Sequence, residues 1–125
     1  MPVIRHSESR RTETPNAVMT TLASPTLGGA EHSVWRVDMR PGAMGPLHAF
    51  DAEQVWTVVE GGATVALDGE AVVVVPGDTV VIPAVVQRRI CADPEAGFAA
   101  IVAASPGALA STPDGTGGTV PAWTV

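Results

Sequence analysis

Several residue types are missing or scarce in this chain of 125 residues, and each gap removes a class of function. There is no lysine, so no Schiff base can form on a side-chain amine, and pyridoxal phosphate cannot be attached to this chain. All seven cations are arginines, set against 13 carboxylates for a net charge of −6, which argues against a nucleic-acid surface. A single cysteine, Cys91, excludes an internal disulfide. Tyrosine is absent, and the aromatics are only two Phe and three Trp. No apolar run approaches membrane-spanning length, and the polar N-terminus does not resemble a signal peptide, so a cytoplasmic location is expected.

What is present points to strands. The length suits one domain, expected to run over 1–125 with an N-terminal arm at 1–15 and an extended surface tail at 105–125. The apolar set is mostly Val and Ala, and Val favours a pleated, half-buried surface over a helix. Thirteen Gly and 11 Pro punctuate the chain, as in an all-β barrel or sandwich. Over 32–40, Trp35, Val37 and Met39 alternate with Arg36, Asp38 and Arg40, the two-residue period of a strand with one buried face. Further extended pieces are expected at 16–23, 47–50, 54–60, 63–67, 70–75, 79–82, 85–91 and 98–103. Asp68-Gly69 between two of them is a two-residue hairpin signal, because that turn needs positive φ. No segment shows helical periodicity.

Two spaced motifs stand out. The first runs Gly42, His48, Phe50, Gln54, Gly61; the second runs Gly77, Pro83, Val85, Arg88, Ala92, after a gap of 15 residues between Gly61 and Gly77. The frame resembles the two motifs of the cupin family, G-x5-H-x-H-x3,4-E-x6-G and G-x5-P-x-G-x2-H-x3-N, and covers about two-fifths of the chain. The chain is therefore identified as similar to a small single-domain cupin with degenerate metal-ligand positions. The resemblance implies an all-β, double-stranded β-helix (jelly-roll) barrel, a site inside the barrel mouth and a homodimer.

In metal-binding cupins three His and one Glu converge on the ion. Carried over, those positions are His48, Phe50, Gln54 and Arg88 here. Phe50 offers no donor, and Arg88 puts a permanent cation where the ion would sit. The first expectation is thus a metal-independent pocket with no cofactor. His48 would serve as proton shuttle, Gln54 as orienting amide and Arg88 as partner of an anion or developing enolate. Trp35, Met39, Phe50 and Trp56 would form the apolar walls. The expected ligand is a small organic molecule, anionic or carbonyl-bearing, and isomerase or cyclase chemistry fits such a set. Two alternatives stay open. One is a divalent transition metal on His48 and Gln54, helped by His32 or Glu53, in a dioxygenase-type oxidoreductase. The other is a ligand sensor or dimeric scaffold without catalysis.

One departure carries a structural expectation. Val85 stands where the family's Pro-x-Gly turn has its Gly, and a β-branched residue is strained at positive φ, so an altered turn next to Arg88 is expected. Cys91 and Arg89 are expected to point away from the pocket, and His6 and His32 to lie at the surface.

Overall fold

The computed structural model describes residues 1–125. Twelve strands form: β1 (Arg10–Glu13), β2 (Val18–Ala23), β3 (Ser33–Met39), β4 (Ala49–Phe50), β5 (Gln54–Gly61), β6 (Ala63–Leu67), β7 (Glu70–Val74), β8 (Thr79–Ile82), β9 (Arg88–Ala92), β10 (Phe98–Ala104), β11 (Ala110–Ser111) and β12 (Gly117–Thr119). The only helical pieces are single 3-10 turns at His6–Glu8 and Ala122–Thr124. No helix is long and apolar enough to cross a membrane.

Two layers face each other. One is a six-stranded sheet in the order β1-β2-β3-β10-β5-β8, antiparallel throughout. The other joins β7-β6-β9 to β12-β11-β4 through two isolated bridges, Met44 to Cys91 and His48 to Arg88. This is the jelly-roll architecture. The β6–β7 hairpin closes on Asp68-Gly69, both at positive φ (46° and 85°), as the two-residue turn demands.

The alternation in β3 buries Ser33, Trp35, Val37 and Met39 and leaves Arg36 and Asp38 as an outer ion pair. Beside them lie Trp56 and Val58 of β5 and Ala100 and Val102 of β10. Val65, Val74 and Ile90 come from the opposite layer. Burying a side chain of this size contributes about 1.5–3 kcal/mol against leaving it in water, so one such face suffices to set the register of β3.

Three segments differ from the expectation. Within the expected N-terminal arm, Arg10–Glu13 form β1, paired with β2 at the edge of the six-stranded sheet. The strand expected over 85–91 begins only at Arg88, because Pro83 to Gln87 form a turn. The tail is more than a surface segment. Pro121 and Thr124 are buried, Thr21 Oγ1 donates to the Trp123 carbonyl at 2.7 Å, and Ser33 Oγ donates to that of Thr124. These contacts strap residues 110–124 across one end of the barrel.

Candidate functional site

His48 lies two residues before the end of β4 and shares a paired backbone with Arg88. The His48 N–H donates to the Arg88 carbonyl at 3.0 Å, and the Arg88 N–H donates back at 2.8 Å. Gly45 is held by a bond from its N–H to the Ile90 carbonyl at 2.9 Å, and a Cβ there would stand 3.2 Å from that oxygen. The segment therefore runs tight against β9 and delivers His48 and Phe50 to the same side. The two rings meet edge to face, with centroids 5.4 Å apart and planes at 78°.

The imidazole has a defined tautomer. Nδ1 lies 2.8 Å from the Pro46 carbonyl, which can only accept, so Nδ1 carries the proton and Nε2 keeps its lone pair. Nε2 has no partner within the chain. Burial lowers the His48 pKa below its usual value; the Pro46 bond opposes this, and the Arg88 charge lowers it further. The neutral, basic form is favoured at neutral pH.

Gln54 is fully buried and has a defined flip. Its Oε1 accepts from Trp56 Nε1 at 3.0 Å and from Arg88 Nη1 at a longer 3.4 Å. With the oxygen taken by two donors, the amide nitrogen is left as a free donor.

These groups line an inner chamber of about 80 Å³ with Trp35, Met39, Phe50 and Trp56, several times the roughly 15 Å³ that one water needs. A vestibule of about 460 Å³ adjoins it beneath the C-terminal strap, and His48, Phe50 and Trp123 border both spaces. Trp35, Trp56 and Trp123, every tryptophan in the chain, stand on the inner wall. Trp56 is backed by Phe98, stacked at 6.3 Å and 15°.

Arg88 is placed differently from the expectation. It is completely buried, but it does not border either chamber. Its guanidinium turns back onto the turn before β9, with Nη2 donating to the carbonyls of Pro83 (3.1 Å) and Val86 (2.9 Å) and Nε to that of Val86 (3.1 Å). Its Cζ sits 5.6 Å from the centre of the Phe50 ring, and no carboxylate pairs with it. Burial pushes its pKa down to about 10, still well above neutrality. The cation thus stands behind the Gln54 amide and the Phe50 ring, and direct pairing with an anionic ligand, which needs donors facing the cavity, is not what this geometry offers.

The expected altered turn is also corrected. Val85 keeps the positive φ of the family's glycine, at 62°. The turn is over-determined by the three Arg88 bonds and by the Val85 N–H donating to the Phe50 carbonyl at 2.7 Å, so the backbone holds its shape and the side chain carries the strain.

The donor set does not fit a metal ion. No three His, Cys, Asp or Glu side chains come together anywhere in the chain. His32 and Glu53 are exposed and away from the chamber, and the Gln54 oxygen is already bound by an indole and a guanidinium. One imidazole nitrogen remains, where a divalent site needs three or more protein donors.

The chamber is lined by His48, Phe50 and Gln54, which the motif positions and alternation pointed inward, and by Trp35, Met39 and Trp56, which alternation pointed inward. Pro46, Asn16, Met19, Ile90 and Trp123 escaped. The one sequence signal for Trp123 was its rarity as an aromatic; the others carry none.

A family model described as the cupin domain matches residues 35–98. No curated protein matches the chain significantly. Among solved structures, an RmlC-like cupin from Shewanella frigidimarina NCIMB 400 is 26% identical, with 80% of this chain and 86% of that one covered and a TM-score of 0.69. The polyketide cyclase RemF from Streptomyces resistomycificus is 20% identical, with coverage of 84% and 79% and a TM-score of 0.72. A salicylate 1,2-dioxygenase from Pseudaminobacter salicylatoxidans is 22% identical over 77% of this chain but 28% of its own, with a TM-score of 0.67. At such identities the last two speak for the fold alone.

Proposed function

The chain belongs to the cupin domain family, and from that premise we propose that it binds a small carbonyl-bearing organic molecule and moves a proton on it with His48, without a metal. The observation that carries the proposal is the Pro46 carbonyl on His48 Nδ1, which leaves Nε2 as a desolvated base at the chamber wall.

The step balances without a co-reactant. Nε2 takes a proton from the carbon next to the ligand's carbonyl, and the C–H electron pair moves into the new C=C bond as charge builds on the oxygen. The Gln54 amide N–H donates to that oxygen, and the Arg88 cation behind Gln54 and Phe50 favours the growing negative charge. The imidazolium then returns its proton, to the same carbon, to a conjugated one or to a departing hydroxyl. Isomerisation, enolisation and dehydration all use this cycle, and a cyclisation uses the same enolate as its nucleophile. Because the ligand is neutral when it binds and negative at the transition state, the buried cation acts mainly on the rate. The donor set favours this proton-transfer chemistry over metal-based oxidation.

The test is proton exchange at the α-carbon of 2-tetralone in D2O, followed by NMR. The protein should accelerate exchange above the buffer rate, and dialysis against EDTA should leave that acceleration unchanged. Loss of acceleration on chelation, restored by a transition metal, would overturn the metal-free step. Saturable binding of 2-tetralone with no exchange would leave a ligand-binding protein and remove the catalytic half of the reading.

A further inference from the structure

The chamber and the vestibule share a property that composition does not lead one to expect. The chain carries 20 formal charges, 13 negative and seven positive, yet none of the 15 residues lining the chamber or the 14 lining the vestibule is Asp, Glu, Lys or Arg. The polar groups on the walls are neutral: the Gln54 amide, Asn16, and the hydroxyls of Thr14, Ser111, Thr112 and Thr119. His48 is the single titratable group, and its surroundings favour the neutral form. The nearest cation, Arg88, spends its N–H groups on backbone carbonyls and the Gln54 oxygen.

An ion entering such a space would lose its water without gaining a charged hydrogen-bond partner, which is strongly unfavourable. A flat, uncharged ring system would instead meet Trp35, Trp56, Phe50 and Trp123. The two chambers adjoin, with His48, Phe50 and Trp123 on the walls of both, and the outer one is the larger. Its outer wall is the strap made by β11, β12 and the Trp123 turn, which is held to the barrel by Thr21 and Ser33.

We infer that the chamber and vestibule form one two-part site for an elongated, uncharged aromatic molecule, its carbonyl beside His48 and Gln54 and its far end under the C-terminal strap. This rests on the cavity reading proposed above and adds the vestibule as a second subsite and charge as the selector. Carboxylates and other anions are excluded as ground-state ligands, which departs from the anionic class that the sequence admits.

The test uses the full chain and a neutral elongated dye, 6-propionyl-2-dimethylaminonaphthalene, whose emission shifts to the blue in apolar surroundings. Saturable blue-shifted binding is expected. 2-Acetylnaphthalene should displace the dye at a concentration at least about 10-fold lower than 2-naphthoate, which has the same ring with a charge in place of the neutral carbonyl. Thr119→Phe, at an exposed strand position on the vestibule wall, should weaken the dye several-fold and the shorter 2-acetylnaphthalene, which reaches less far under the strap, by clearly less, as read by tryptophan quenching. Ser111→Phe is the second variant should the first disturb the strap, with far-UV circular dichroism as the check on folding.

Equal or better displacement by 2-naphthoate overturns the selection by charge. Equal effects of the vestibule variants on both ligands, or no effect on either, overturn the second subsite. Absence of saturable dye binding overturns the whole inference. In each case exchange of 2-tetralone still decides separately whether His48 performs proton transfer.

Discussion

Residues 42–61 and 77–92 carry the two halves of the same family frame and lie side by side through the His48–Arg88 bridge, but they do opposite things. The first lines the inner chamber with Gly45, Pro46, His48, Phe50, Gln54 and Trp56, whereas the second contributes Ile90 alone. Arg88, the residue of the second half with most chemistry in it, faces its own turn. Occupying a ligand position in the frame therefore does not make a residue a ligand group. The side chain has to reach the cavity, and a long guanidinium with three carbonyl bonds available behind it does not.

The sharpest way to break this contrast is to substitute across it. His48→Ala should lower 2-tetralone exchange by about 100-fold or more, the usual worth of a positioned general base. His48→Gln, which keeps a polar group of similar size, should not restore it. If Arg88→Met proves as damaging as His48→Ala, the division of labour between the two halves is wrong.

A smaller effect is expected at the amide between them. Gln54→Leu removes the donor to the ligand's oxygen and should cost about 10- to 100-fold in rate, with binding of 2-acetylnaphthalene little changed. Arg88→Met should cost less than Gln54→Leu, because Arg88 acts through Gln54 and through space; Arg88→Lys should recover part of the loss by restoring the charge.

The pH dependence offers a finer separation. His48 must be neutral to accept a proton, and its pKa lies below the usual histidine value of about 6.5, so the rate should fall only on acidification below that value. Arg88→Met removes a charge that lowers the His48 pKa, so the acidic limb should move to higher pH. Imidazole chemical shifts measured against pH would show the same movement without any substrate. For stability the sign agrees: the fold disfavours the charged imidazole, so stability is fully present above the unfolded histidine pKa and declines as pH falls through the folded one.

The smallest effect is at Val85, which belongs to the supporting half and is exposed. A non-glycine residue at φ 62° costs about 1–3 kcal/mol, partly offset by the greater freedom that glycine has when unfolded. Val85→Gly should thus stabilise the fold by about 1 kcal/mol, seen as a rise in Tm, with 2-tetralone exchange unchanged.

The sequence by itself determined the central strands, though not β1, β11 or β12, and which of their side chains point inward. Alternation of period two is a local property, so Trp35, Val37 and Met39 could be assigned to one buried face without knowledge of what packs on it. The same holds for Phe50, Gln54 and Trp56, and for the Asp68-Gly69 turn, whose positive φ values are a local steric demand. Only the tertiary structure decided how far each inward side chain reaches and what it touches. The Gln54–Arg88 contact spans 34 positions in the chain, and the Thr21–Trp123 contact that secures the strap spans 102. Periodicity carries no information over such separations, because it specifies a face and not a depth or a partner. Hence the alternation placed Arg88 on the inner side correctly, while the carbonyls of its own turn decided that its charge would stand behind the cavity wall. The Pro46 carbonyl that makes His48 a base was settled in the same way, by the path of the backbone.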